Sequence, residues 1–254
     1  MNANHQKPLV VGITGASGSV YGLRFVKAIT ELGHPITLTL SHAAGLVIRE
    51  ELGIEIDVKD PSCVTKLFSN PVIASLPATN LGGRAKQSRG HEIASSLSAP
   101  RNDEPSILNL ISYYPEHEMT APIASGSYPA RGMVIVPSST TTFSKIANGI
   151  SESLIERAAE CMIKEGRKLV IVPRETPLSA IHLENLLKLA RLGVRVVPAI
   201  PAFYSGAQKI EELVDFVIGK VLDQLDIPHT LYRRWVGSEA ESKIKGTQWT
   251  ENWL

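Results

Sequence analysis

Apolar residues come along this chain in two kinds of run. Short, largely apolar ones, at residues 9–13, 35–40, 133–136, 168–172 and 194–197, have the length and hydrophobicity of strands in a covered parallel sheet. Between them lie longer stretches, 20–32, 43–52, 154–164, 180–192 and 210–225, whose apolar positions recur every three or four residues. These are expected to be helices, and Gly33 follows the first of them as a stop signal. Residues 106–114 read as one more strand between Pro105 and Pro115. Strands alternating with amphipathic helices imply βαβ units. The expected fold is α/β: a single-domain, doubly wound parallel sheet, Rossmann-like, with three α/β/α layers.

Two regions break the rhythm. Residues 58–105 are rich in Ser, Pro, Gly and Asn, with "NLGGRAKQSRGHE" at their centre, and this composition favours disorder over packed structure. After residue 236 the chain is mostly polar but carries Trp249 and Trp253, rings expected to stay in a loosely ordered end or to pack on a neighbouring subunit. The expected organisation is one domain over 1–236, interrupted by the 58–105 insertion, and a tail over 237–254.

Composition narrows the function more by exclusion than by pointing. With 26 basic against 25 acidic side chains among 254 residues, the chain has no nucleic-acid footprint. No stretch reaches the roughly 18 consecutive apolar residues of a membrane span, and no signal peptide is expected before the first strand. Two cysteines, Cys63 and Cys161, are too few for a disulfide framework, so a cytoplasmic location is expected. The seven histidines are scattered, with no H-x-x-x-H or H-E-x-x-H pair, so no metal is expected.

Chemistry gathers where the strands end. In "GITGASGSVYG", Gly12, Gly15 and Gly18 make G-x-x-G-x-x-G rather than the G-x-G-x-x-G of dinucleotide folds. Glycines there let the backbone approach a ligand, and the N–H groups opening the next helix attract an anion. The second strand ends at Ser41, where a dinucleotide fold would place an acid for the ribose, so the turn reads as a mononucleotide site. The next strands are followed by the hydroxyls of Ser138, Ser139, Thr140, Thr141 and Thr142, by Arg174 and Glu175, and by Tyr204. Ligands of a parallel sheet bind beyond the carboxyl ends of its strands. Taken one at a time these residues are ordinary caps, ion pairs and packing; together they predict an anion pocket beside an acid/base group.

These stretches, with "SHAAGLVIREE", "APIASGS", "GMVIVPSSTTTFSKIANG", "LIERAAECMIKEGRKLVIVPRETPLSAIHLENLLKLARLG", "PAIPAFY", "VDFVIGKVLDQL" and "RRW", resemble the UbiX family of flavin prenyltransferases. The resemblance covers most of the chain outside 58–105 and the tail. It implies a flavoprotein fold and transfer of a dimethylallyl group from dimethylallyl phosphate to N5 and C6 of reduced FMN, which adds a ring. The product is the cofactor of UbiD-type decarboxylases. The family's flavin positions fall on Gly15, Ala16, Ser17, Ser41, Ser139, Thr140, Thr141, Thr142 and Arg174. Its prenyl-phosphate positions fall on Tyr204 and Lys220, and further active-site positions on Glu51, Arg157, Lys164 and Trp235, some reaching a neighbouring subunit's site. The resemblance also implies a homododecamer. Lys220 stands where some members carry Arg, which removes a bidentate phosphate contact.

The roles then follow from the reaction. Arg157, Lys164, Arg174, Tyr204 and Lys220 are expected to meet the departing phosphate without a metal, Trp235 to face the allyl group, and Glu175 to take the proton with Ser17 relaying it. Two other readings stand beside this one. One is an FMN-dependent cysteine decarboxylase, whose first-helix His and substrate-clamping Asn motif are not evident in the sequence. The other is a carrier that binds FMN without chemistry.

Overall fold

The computed structural model describes residues 7–79 and 107–235, and the centre of the insertion, with Trp249 and Trp253, lies outside them. Six parallel strands form one sheet in the order β3-β2-β1-β4-β5-β6. They are β1 Leu9–Ile13, β2 Ile36–Leu40, β3 Ile111–Tyr113, β4 Gly132–Ser138, β5 Lys168–Pro173 and β6 Arg195–Val196. The order reverses between β1 and β4, the switch point at which a crevice opens at the carboxyl ends.

Alternate residues of the central strands feed two cores. Leu9, Val11, Ile13, Val134, Val136, Val170 and Val172 pack with helices α1 (Ser19–Glu31), α2 (His42–Leu52) and α8 (Ile210–Gln224). Val10, Met133, Ile135, Leu169 and Ile171 face α5 (Thr140–Ala147), α6 (Leu154–Lys164) and α7 (Ala180–Arg191). That period of two explains why β1 and β4 are apolar along nearly their whole length: each is buried on both faces. The doubly wound, three-layer fold is as expected.

Three elements differ from the sequence expectation. Residues 58–79 are not loose: α3 (Cys63–Phe68) and α4 (Pro71–Ala74) bury Cys63, Val64, Leu67 and Ile73 in the α1/α8 core. Asn70 caps α4 by accepting from Val72 N at 2.9 Å, so a residue counted toward disorder is a helix start. The third strand shortens to Ile111–Tyr113, with a 3-10 turn at Ile107–Leu110 before it. The hydroxyl run after β4 is the first turn of a helix, α5, whose Phe143 and Ile146 reach the second core.

The buried charges tie α1 to its neighbours. Arg24 donates from Nε to Asp215 Oδ1 at 2.6 Å and from Nη2 to Oδ2 at 3.2 Å, with Nη1 on Thr79. Lys27 donates to the carbonyls of Ile73, Ala74 and Leu76, holding the end of α4 against α1.

Candidate active site at the carboxyl edge of the sheet

Hydrogen bonds stitch four turns together where β1, β2, β4 and β5 end. Thr14, only 2% exposed, donates from Oγ1 to the Pro137 carbonyl at 2.9 Å and accepts from Ser139 N at 2.7 Å. This locks the β1–α1 turn to the β4–α5 turn. Arg174, directly after β5, donates from its backbone N to Ser138 O at 3.3 Å and from Nε to Ser17 O at 2.9 Å. Ser41 N bonds to Ile13 O at 3.0 Å. The structure therefore gathers Ser17, Ser41, Ser139 and Arg174, residues from four separate turns, on one edge.

The glycine-rich turn differs from its sequence reading in what it holds. Glu51, from the end of α2, accepts from Gly18 N at 2.7 Å, Ser19 N at 2.8 Å and Ser19 Oγ at 2.7 Å. Partial burial pushes this carboxyl up, but these bonds and one from the Ser17 hydroxyl outweigh it, and its pKa lies below the ordinary value. The anion at the start of α1 is thus the chain's own carboxylate. The glycines serve packing: a methyl on Gly15 would collide with Ala43, and Gly18 has φ 92°, which only glycine adopts readily. The start of α2 is likewise occupied, since His42 N donates to Glu116 Oε1 at 2.5 Å and Ser41 Oγ accepts from Ala44 N at 3.0 Å.

Helix α5 is different. Ser139 caps it by accepting from Thr142 N at 3.3 Å, the two hydroxyls lie 3.0 Å apart, and its first turn carries no acid. Thr140 is half-buried, Thr141 exposed and Thr142 buried. A helix start furnished only with hydroxyls and N–H groups suits a phosphate. This donor set, next to Arg174 and the buried Ala16, fits the phosphate end of FMN.

The other expected residues form two further groups. Tyr204, in a 3-10 turn after β6, packs edge-on against Phe216 and Trp235, each with ring centroids 5.9 Å away. Lys220, on the same helix as Phe216, stands 3.7 Å from Asp223 and lines a cavity of about 540 Å³ with Phe216, Val197 and Ile200. Arg157 and Lys164 lie along α6: Arg157 bonds to the Ala124 carbonyl at 3.0 Å and to Glu160 at 2.8 Å, and Lys164 pairs with Glu165 at the end of the helix that leads into β5. Within one chain these two cations attend the stretch before β4, not the carboxyl edge. Glu175 is exposed, and its Oε1 accepts from Thr176 N at 2.9 Å.

Sequence reasoning passed over Thr14, Tyr21 and Glu116. Thr14 carries no motif signal; only its place directly after β1 hints at it. Tyr21 packs at the Gly18 turn, where burial raises its phenol's pKa and the Arg174 charge acts the other way.

Comparison with known proteins gives the family and the fold. A family model described as Flavoprotein matches residues 1–222. The chain is similar to the flavin prenyltransferase UbiX of Halalkalibacterium halodurans, at 43% identity over 91% of this chain and 94% of that protein. It is also similar to the flavin prenyltransferase UbiX of a Synechocystis strain, at 39% identity over 91% and 97%. Among solved structures it is similar to AnUbiX in complex with FMN and dimethylallyl pyrophosphate, at 32% identity and TM-score 0.70, covering 92% of this chain and all of that one. A dodecameric FMN-dependent UbiX-like decarboxylase from Escherichia coli O157:H7 matches at 32% identity and TM-score 0.67, covering 91% of this chain and 100% of that one.

Proposed function

The chain belongs to the flavoprotein family and, within it, to the UbiX-type flavin prenyltransferases, and on that premise we propose how its residues transfer a dimethylallyl group from dimethylallyl phosphate to N5 and C6 of reduced FMN. The observation that carries the reading is the stitched edge. Ser139, Thr140, Thr141 and Arg174 offer an anion site at α5, while Glu51 and Glu116 occupy the two neighbouring helix starts. Bound reduced FMN supplies the electron-rich ring that accepts the allyl group.

Everything else falls to the side chains. The allylic C–O bond breaks as charge builds on phosphate, and Tyr204 and Lys220 bind that phosphate, with Arg174 donating from the flavin side. Preorganised donors of this kind are usually the largest catalytic term. Trp235 offers its ring face to the developing allyl cation. Closure at C6 needs one proton given to the prenyl double bond and one taken from C6 as the new bond forms; Glu175 gives the first and takes the second, with Ser17 relaying and Glu51 holding the Ser17 turn. Arg157 and Lys164 serve the site of a neighbouring subunit in a homododecamer. That assembly is supported by the dodecameric relative and by the position of both cations away from their own chain's edge.

The product goes to a UbiD-type decarboxylase, in the cytoplasm. No helix among the described residues is long and apolar enough to cross a membrane. The reading is tested by phosphate release from dimethylallyl phosphate under anaerobic conditions with EDTA present. Release of one phosphate per reduced FMN consumed is expected; release that ignores FMN, or that EDTA abolishes and Mg²⁺ restores, contradicts the mechanism.

A further inference from the structure

The stretch after α8 has neither helix nor strand up to Trp235, yet three of its side chains meet one carboxylate. Asp223 accepts from Tyr232 Oη at 2.6 Å, from Arg234 Nη2 at 2.6 Å and Nη1 at 3.3 Å, and from His229 Nε2 at 3.0 Å. Leu231 N donates to His229 Nδ1 at 3.2 Å, which leaves the Nε2 proton to point at Asp223. Three side chains of one six-residue stretch thus converge on one residue of α8. The helix is shaped to receive them: a methyl on Gly219 would collide with the Tyr232 ring and with His229. A glycine inside a helix is less favourable than an alanine there, so the close approach offsets a real penalty.

The same stretch places the aromatic wall. Tyr232 packs tilted against Phe216 with centroids 4.9 Å apart, Phe216 meets Tyr204, and Tyr204 meets Trp235. Trp235 is itself 57% exposed, so its position depends on the chain that precedes it. Burial pushes the Asp223 carboxyl up, but the bonds from Arg234, Tyr232 and His229 bring it down to about 2, so it stays ionised at neutral pH.

We propose that Asp223 is a positioning residue for the prenyl-donor corner: by clasping His229, Tyr232 and Arg234 to α8 it fixes Trp235 over Tyr204, beside Lys220. This rests on the reading that Tyr204, Lys220 and Trp235 receive the dimethylallyl phosphate. Asp223 touches neither donor nor flavin; it acts through the stretch it holds. It also pairs with Lys220 at 3.7 Å while sharing its charge with Arg234, so the same carboxylate keeps the Lys220 ammonium at this corner.

The test uses the FMN-bound full chain with Trp249→Phe and Trp253→Phe, which leaves Trp235 as the one tryptophan of three. In this background Asp223→Asn is expected to raise KM for dimethylallyl phosphate at least fivefold, with kcat changed less than threefold and FMN affinity unchanged. Acrylamide quenching of Trp235 is expected to at least double. Tyr232→Phe, which removes one hydroxyl, should move both readouts in the same direction and decides the matter if Asp223→Asn fails to fold. Unchanged KM and unchanged quenching in Tyr232→Phe, or in a folded Asp223→Asn, overturn the proposal. A parent protein with no prenyl transfer overturns the functional reading instead. The quenching arm then still reports whether Asp223 fixes Trp235.

Discussion

Glu175 and Glu51 show how two carboxylates on one edge divide into different work. Glu51 is consumed by hydrogen bonds from Gly18 and Ser19 and holds a turn. Glu175 keeps one oxygen on its own loop and stands exposed, able to exchange a proton. Glu175→Gln is therefore expected to lower turnover by about 10²-fold or more, the usual range for losing a general acid/base, while FMN affinity stays within twofold. Single-turnover rates and flavin titration check this, and unimpaired turnover would remove Glu175 from the mechanism. The sequence announced Ser41, Ser139 and Arg174 because each directly follows a strand, and Ser17 because it sits on the glycine turn after the first one. It could not announce that Glu51, ten residues further along the chain than Ser41, folds back on the glycine turn. The helix start that follows those glycines carries an anion in the structure, and it is the Glu51 carboxylate.

Among the elements, α1 carries the heaviest buried charge. Arg24 is 1% exposed and Asp215 7%, joined by two hydrogen bonds between α1 and α8. Removing one partner strands the other in the core, so Arg24→Ala is expected to cost about 3–5 kcal/mol in urea unfolding. A loss below about 1 kcal/mol would show that water reaches Asp215 freely. Legibility at this scale followed period and length. Helices such as α6 and α8 declared themselves through repeated apolar spacing. Helix α5 opens with three threonines, poor helix formers, and spans only eight residues. Helices α3 and α4 are shorter still and sit among Ser, Pro and Asn, so only Leu67 and its neighbours, buried in the core, reveal them.

Over the whole molecule, sheet order places the chemistry. Strands β1 and β4 are neighbours although about 120 residues of sequence separate them, and Thr14 fastens their ends. The doubly wound fold was legible because every central strand is apolar on both faces. The arrangement of the site was only partly legible: the donors fall into an edge group, an α8 group and an α6 group, and sequence order carries no sign of that division. In the proposed function the edge group binds reduced FMN while the others deliver and ionise a prenyl phosphate. The mass of the flavin recovered after anaerobic incubation with reduced FMN and dimethylallyl phosphate tests this most directly. A flavin heavier by one five-carbon unit is predicted, whereas FMN recovered at its original mass, from protein that demonstrably binds it, would contradict the account.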